Sequence, residues 1–133
     1  MLIVEDDEVF ILLNKRMVVK SGLCVEPLSF HDGKEALDYL DGPLDDEDCY
    51  LILLDINMPI MNGWEFLDSI QTITISNLIS VIMVTSSIES IDQDRARRYP
   101  QVVDYFEKPL RIENFNRIML LPKIASLIND GCA

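Results

Sequence analysis

Short apolar runs alternate with stretches in which apolar residues recur at helical spacing along the whole chain. The runs are residues 2–4, 24–30, 51–54, 78–85 and 102–106. Leu51, Ile52, Leu53 and Leu54 follow one another without a polar interruption, the pattern of a strand covered on both faces in a parallel sheet. Pro27 removes a ladder donor from the second run and points to an edge position there. A first helix is predicted over 8–20, with Val9, Phe10, Leu12, Leu13 and Met17 at helical spacing and Ser21-Gly22 closing it. Asp32 and Glu35 have capping-box spacing ahead of Ala36, Leu37 and Leu40, and Gly42-Pro43 ends that second helix. Further helices are predicted over 63–73 and 88–99, the latter carrying Arg95, Arg97 and Arg98. The last is predicted over 111–128, kinked or divided at Pro122.

Strands that each feed a helix imply right-handed crossovers and a parallel sheet with helices on both faces. All carboxyl ends of the strands then point to one edge, where open α/β sheets place their ligands. Glu5 and Asp6 follow the first strand, Asp55 ends the third, Thr85 the fourth, and Lys108 stands just past the fifth. Each has an ordinary alternative role: Asp55 as a cap, Thr85 as a strand residue, Lys108 as a solvated charge, Glu5 and Asp6 as a helix-capping pair. Those alternatives do not explain why all five fall on one edge. Carboxylates gathered in a small volume repel one another unless a cation joins them. A set of one or two carboxylates with a backbone carbonyl and waters suits Mg²⁺.

Composition narrows the picture. The 133 residues are 49% hydrophobic and 26% charged, a globular profile of a size that fits one domain, here taken as 1–133. The apolar runs are far shorter than a membrane span, and no secretory leader pattern opens the chain. Cys24, Cys49 and Cys132 are odd in number and widely spaced, against a disulfide framework or a zinc site, so a cytoplasmic location is expected. With 23 acidic against 11 basic residues, the net charge of −12 argues against direct nucleic-acid binding. The acidic run from Asp45 to Asp48 reads as a solvated loop.

Glu5-Asp6, the stretch from Leu53 to Gly63 (LLDINMPIMNG), Thr85 and Lys108-Pro109 together resemble, in order and spacing, the receiver domain of two-component response regulators. The likeness covers residues 2–128. It implies a flavodoxin-like doubly wound α/β fold, a five-stranded parallel sheet in the order 2-1-3-4-5 with five helices. It also implies that Asp55 accepts a phosphoryl group from a histidine kinase, a phosphotransfer protein or a small phosphodonor. Glu5, Asp6 and Asp55 would hold Mg²⁺ with the backbone carbonyl of Asn57, while Thr85 and Lys108 would contact the phosphoryl oxygens. Thr85 and Tyr105 would form the switch, and the face of helix four, strand five and helix five would meet an output protein, with self-association left open. Asn57 and Ser87 occupy positions that tune phosphoryl lifetime in that family.

The separation of Asp6 from Asp55 is a little long for the family, with the excess assigned to the acidic loop. His31 is expected at the surface or in a cap, and Trp64 part-exposed at the start of helix three. A haloacid-dehalogenase-like phosphatase would carry a second aspartate where Asn57 stands. A flavin or nucleotide binder would want a glycine- or serine-rich loop where Glu5-Asp6-Asp7 stands. A degenerate receiver that binds partners without phosphotransfer is the remaining alternative. The expectation is a signalling receiver, not an enzyme in its own right, either free-standing or part of a longer protein.

Overall fold

A computed structural model describes residues 1–24, 26–42, 49–73, 78–86, 93–122 and 124. Strands and helices alternate: β1 (Leu2–Val4), α1 (Glu8–Ser21), β2 (Leu28–Phe30), α2 (Gly33–Leu40), β3 (Tyr50–Asp55), α3 (Gly63–Ile70), β4 (Ile79–Thr85), α4 (Gln93–Ala96), β5 (Val102–Glu107) and α5 (Ile112–Leu120). The strands form one parallel sheet in the order β2-β1-β3-β4-β5. The edge position of β2 agrees with Pro27 just before it.

Side-chain alternation splits the core into two layers. Ile52 and Leu54 of β3 and Val81 and Met83 of β4 pack with Ala36, Phe66, Leu67 and Ile70, so α2 and α3 cover one face. Leu51, Leu53, Ile82 and Val84 pack with Val18, Phe115 and Ile118, so α1 and α5 cover the other. That is why β3 and β4 read as continuous apolar runs: every residue of both is buried.

Several boundaries differ from the sequence expectation for local reasons. Helix α1 is capped by Asp7, whose side chain accepts from the amides of Val9 and Phe10, and it ends at Gly22 with φ +83°. The capping box expected at α2 is half formed. Asp32 accepts from the Glu35 amide at 2.9 Å, but Glu35 accepts from the His31 amide at 3.0 Å and not from that of Asp32. A complete box stands at α3, where Asn62 and Glu65 cap each other. That helix ends at Ile70, three residues early, where successive turn hydrogen bonds at Gln71, Thr72 and Ile73 replace the helical pattern. β2 begins at Leu28, later than residue 24. Helix α4 ends at Ala96, short of 99, in turns that leave Tyr99 facing α3. Helix α5 breaks after Leu120, as the division expected at Pro122 requires: the residue before a proline is driven out of helical geometry, Leu121 has ψ 130°, and Pro122 and Ile124 are helical again. The acidic run 45–48, the start of the fourth predicted helix at 88–92 and the tail 125–133 lie outside the described residues.

Among the described residues, no helix is long and apolar enough to cross a membrane.

Candidate functional site

The carboxyl edge of the sheet brings together acid groups from two strands. Glu5 leaves β1 and its amide donates to the Phe30 carbonyl at 3.0 Å, continuing the ladder one residue past the strand. Asp55 is the last residue of β3. One ligand oxygen from each of Glu5, Asp6 and Asp55 lies within 4.8 Å of the others. Glu5 is 2% exposed and Asp55 3%, whereas Asp6 opens to solvent. Lys108, from the loop after β5, bridges the two buried groups: its Nζ stands 2.9 Å from Glu5 Oε2 and 3.3 Å from Asp55 Oδ2. The Lys108 amide donates to the Thr85 carbonyl at 2.7 Å, fixing the root of that side chain to the end of β4.

The loop after β3 is shaped by close packing. Gly63 donates to the Ile56 carbonyl at 2.8 Å, and a Cβ at position 63 would lie 2.8 Å from Ile56 Cα and 3.1 Å from the Asp55 carbonyl oxygen. Only glycine allows that approach, so α3 starts against the backbone that carries Asp55. The Asn57 amide donates to Asp55 Oδ1 at 3.2 Å. On the other flank the Asp7 amide donates to Glu5 Oε1 at 3.3 Å, and the same Asp7 caps α1.

Electrostatics follow from burial against pairing. Desolvation raises Glu5 from 4.5 to about 7, and the charge of Asp55 adds to that, while Lys108 opposes it. Asp55 is raised as well, chiefly by desolvation, with Lys108 and the Asn57 amide pulling the other way. Burial alone would lower Lys108, but its bond to Glu5 and the charge of Asp55 outweigh that and raise it. One cation therefore serves two buried acids and leaves the trio one positive charge short. A hard divalent ion fits such an all-oxygen set with an open, solvent-facing side at Asp6.

Thr85 is 2% exposed at the end of β4. Tyr105 pairs with Met83 across a register shift between β4 and β5, and is partly buried against the layer that holds Met83. Alternation along β4 puts Thr85 on the same face as Met83, so Tyr105 lies one pleat behind Thr85. His31 is surface-held, 2.7 Å from Glu8, and Trp64 is part-buried at the start of α3. Ser87 lies outside the described residues. Sequence reasoning missed Asp7 as the true helix cap, for which the acidic residue just before the periodic stretch was the available signal. It also missed Phe10, whose ring lies 4.6 Å from Lys108 Nζ; that contact joins residues far apart in the chain and leaves no local signal.

Residues 1–119 match the family model described as the response regulator receiver domain. The chain belongs to the response regulator receiver family. It is 31% identical over 127 residues to the transcriptional regulatory protein CpxR of Escherichia coli (strain K12), a match covering 96% of this chain and 48% of that protein. This receiver chain thus spans about half the length of that relative. It is 32% identical over 125 residues to the probable methanogenesis regulatory protein FilR2 of Methanothrix harundinacea, covering 87% of this chain and 76% of the relative. A two-component response regulator from Cytophaga hutchinsonii superposes with a TM-score of 0.77 at 28% identity, covering 94% of this chain and 95% of that one. The receiver assignment, the flavodoxin-like fold and the strand order anticipated from the sequence all agree with these relatives.

Proposed function

We propose that this receiver takes a phosphoryl group on Asp55 from a histidine kinase, a phosphotransfer protein or a small phosphodonor, and passes the change to a protein partner. The observation that carries this reading is the placement of Lys108 Nζ 3.3 Å from Asp55 and 2.9 Å from Glu5, inside the cluster completed by Asp6. A carboxylate oxygen of Asp55 would attack phosphorus. The bond from phosphorus to the donor's leaving atom breaks, the leaving group keeps the electron pair, and an acyl phosphate remains. Water attacking that phosphorus later releases inorganic phosphate and restores the carboxylate. Glu5, Asp6 and Asp55, with the Asn57 carbonyl, would hold Mg²⁺, which when bound neutralises phosphoryl oxygens. Lys108 would move its ammonium from Asp55 to a phosphoryl oxygen, and Thr85 would donate its hydroxyl to another. Transfer of this kind depends on positioning and charge stabilisation, which are what these groups offer.

Phosphorylation adds about −1.5 to −2 charge beside Thr85 and Lys108. Thr85 drawn toward that charge would free space behind it for Tyr105. Tyr105 also lines a hollow of about 310 Å³ with Gln93, Ala96, Val102, Asp104 and Arg117, between α4, β5 and α5. A rotation of Tyr105 would therefore reshape that face, the proposed output surface. Such a device shifts a population between two states and is not a turnover enzyme in its own right. A receiver without phosphotransfer would have no need for the assembled acid trio and its lysine.

Incubation with acetyl phosphate and Mg²⁺ followed by intact-protein mass spectrometry tests the assignment. A single phosphoryl adduct is expected on the wild type and none on Asp55→Asn. An equal adduct on both would move the acceptor elsewhere.

A further inference from the structure

We propose that Phe10 is a positioning residue for Lys108, its ring holding the ammonium beside Asp55 without adding a negative charge to the site; this rests on the phosphoacceptor reading above. Lys108 Nζ lies 4.6 Å from the centroid of the Phe10 ring. Its side chain is 16% exposed, and its oxygen partners, Glu5 and Asp55, are carboxylates. A lysine head on a flexible four-carbon stem has no built-in orientation, so its place is set by what surrounds it. An aromatic face attracts a cation through its quadrupole, most strongly where water is thin.

The chemistry favours a ring over another acid at this spot. A third carboxylate on Lys108 would compete with the incoming phosphoryl oxygens for the ammonium and would repel the donor. An aromatic face attracts the cation and leaves the net charge unchanged. Phe10 is also anchored to the same loop that carries the acids. Its amide donates to Asp7 Oδ1 at 3.4 Å, and the Asp7 amide donates to Glu5 Oε1 at 3.3 Å. Among the described residues, Phe10 is not one of the side chains packed into either core layer, and it is only partly buried. Its ring is thus placed against the lysine and is not demanded by the core.

The test compares wild type with Phe10→Leu, Phe10→Ala and Phe10→Trp. Two readings are taken on each: the rate of Asp55 phosphorylation by acetyl phosphate at saturating Mg²⁺, and the proton shift of the Lys108 ε-methylene, assigned through its loss in Lys108→Arg. In the wild type the ring current should move those protons upfield. Phe10→Leu keeps an apolar side chain of similar reach; it should return the shift to its ordinary position and slow phosphorylation by about threefold. Phe10→Trp should restore both, since indole has the strongest quadrupole. Mg²⁺ affinity and the urea midpoint should stay unchanged in the leucine and tryptophan variants, which separates positioning from folding. The proposal is overturned if Phe10→Leu keeps the wild-type rate, or if Phe10→Leu and Phe10→Trp slow the reaction equally. A wild type that takes no phosphoryl group would defeat the phosphoacceptor reading instead, and the methylene shift would still decide whether the ring holds the lysine.

Discussion

Removing the charge of Glu5 should flatten the dependence of stability on pH. Glu5 is 2% exposed, and burial raises its pKa from 4.5 to about 7. Between those values the folded protein binds a proton that the unfolded chain releases, so stability falls as pH rises through this window and the loss is complete above it. At about 1.4 kcal/mol for each tenfold change in proton affinity, the ionised side chain costs the metal-free protein about 3 kcal/mol. Asp55 is shifted in the same direction, whereas the raised pKa of Lys108 acts only at alkaline pH.

The assay is urea unfolding with a chelator at about pH 5 and about pH 8, on wild type and Glu5→Gln. With a slope of about 2 kcal/mol per molar urea, the wild type should lose about 1.5 M more in midpoint than the variant over that interval. The general repulsion of a chain with net charge −12 affects both proteins alike and cancels in the comparison. Mg²⁺ should reverse the loss at the higher pH, because an ion that takes the ionised acids stabilises the folded state by mass action. Its apparent affinity should weaken roughly tenfold from about pH 8 to about pH 6, as protons compete for Glu5. Equal pH slopes in wild type and Glu5→Gln, or a Mg²⁺ affinity independent of pH over that range, would refute the reasoning.

Gly63→Ala should destabilise by about 1–3 kcal/mol in urea unfolding, since the added Cβ meets Ile56 Cα at 2.8 Å and backbone cannot yield as a side chain can; a midpoint equal to wild type would show that α3 moves aside freely. Thr85→Ala should still take a phosphoryl group on Asp55 but lose the chemical-shift change at Tyr105, because the hydroxyl proposed to couple the two is gone. A Tyr105 response as large as in the wild type would remove Thr85 from the switch.

The layers were legible in the chain because burial on two sides leaves a one-dimensional trace. Leu51, Ile52, Leu53 and Leu54 read as a covered strand and are all buried. The acids after β1 and β3 could be placed on one edge because parallel strands share a direction, and Glu5, Asp6 and Asp55 do meet there. Helix ends were less legible. The true cap of α1 is Asp7, one of four successive acidic residues from Glu5 to Glu8, and the Glu35 side chain serves the His31 amide instead of completing its box. Those choices depend on the path of the chain entering each helix, which tertiary packing sets.

Alternation, composition and the order of acidic, hydroxyl and basic residues at strand ends were enough to determine the α/β class, the shared edge and the identity of the residues there. Such features depend only on periodicity and chain direction, which are properties of the sequence. Which acid is buried, how one lysine divides itself between Glu5 and Asp55, and that the ring of Phe10 lies over it were decided only by the fold. Desolvation and distance are set by neighbours brought from far along the chain, and no local pattern encodes them.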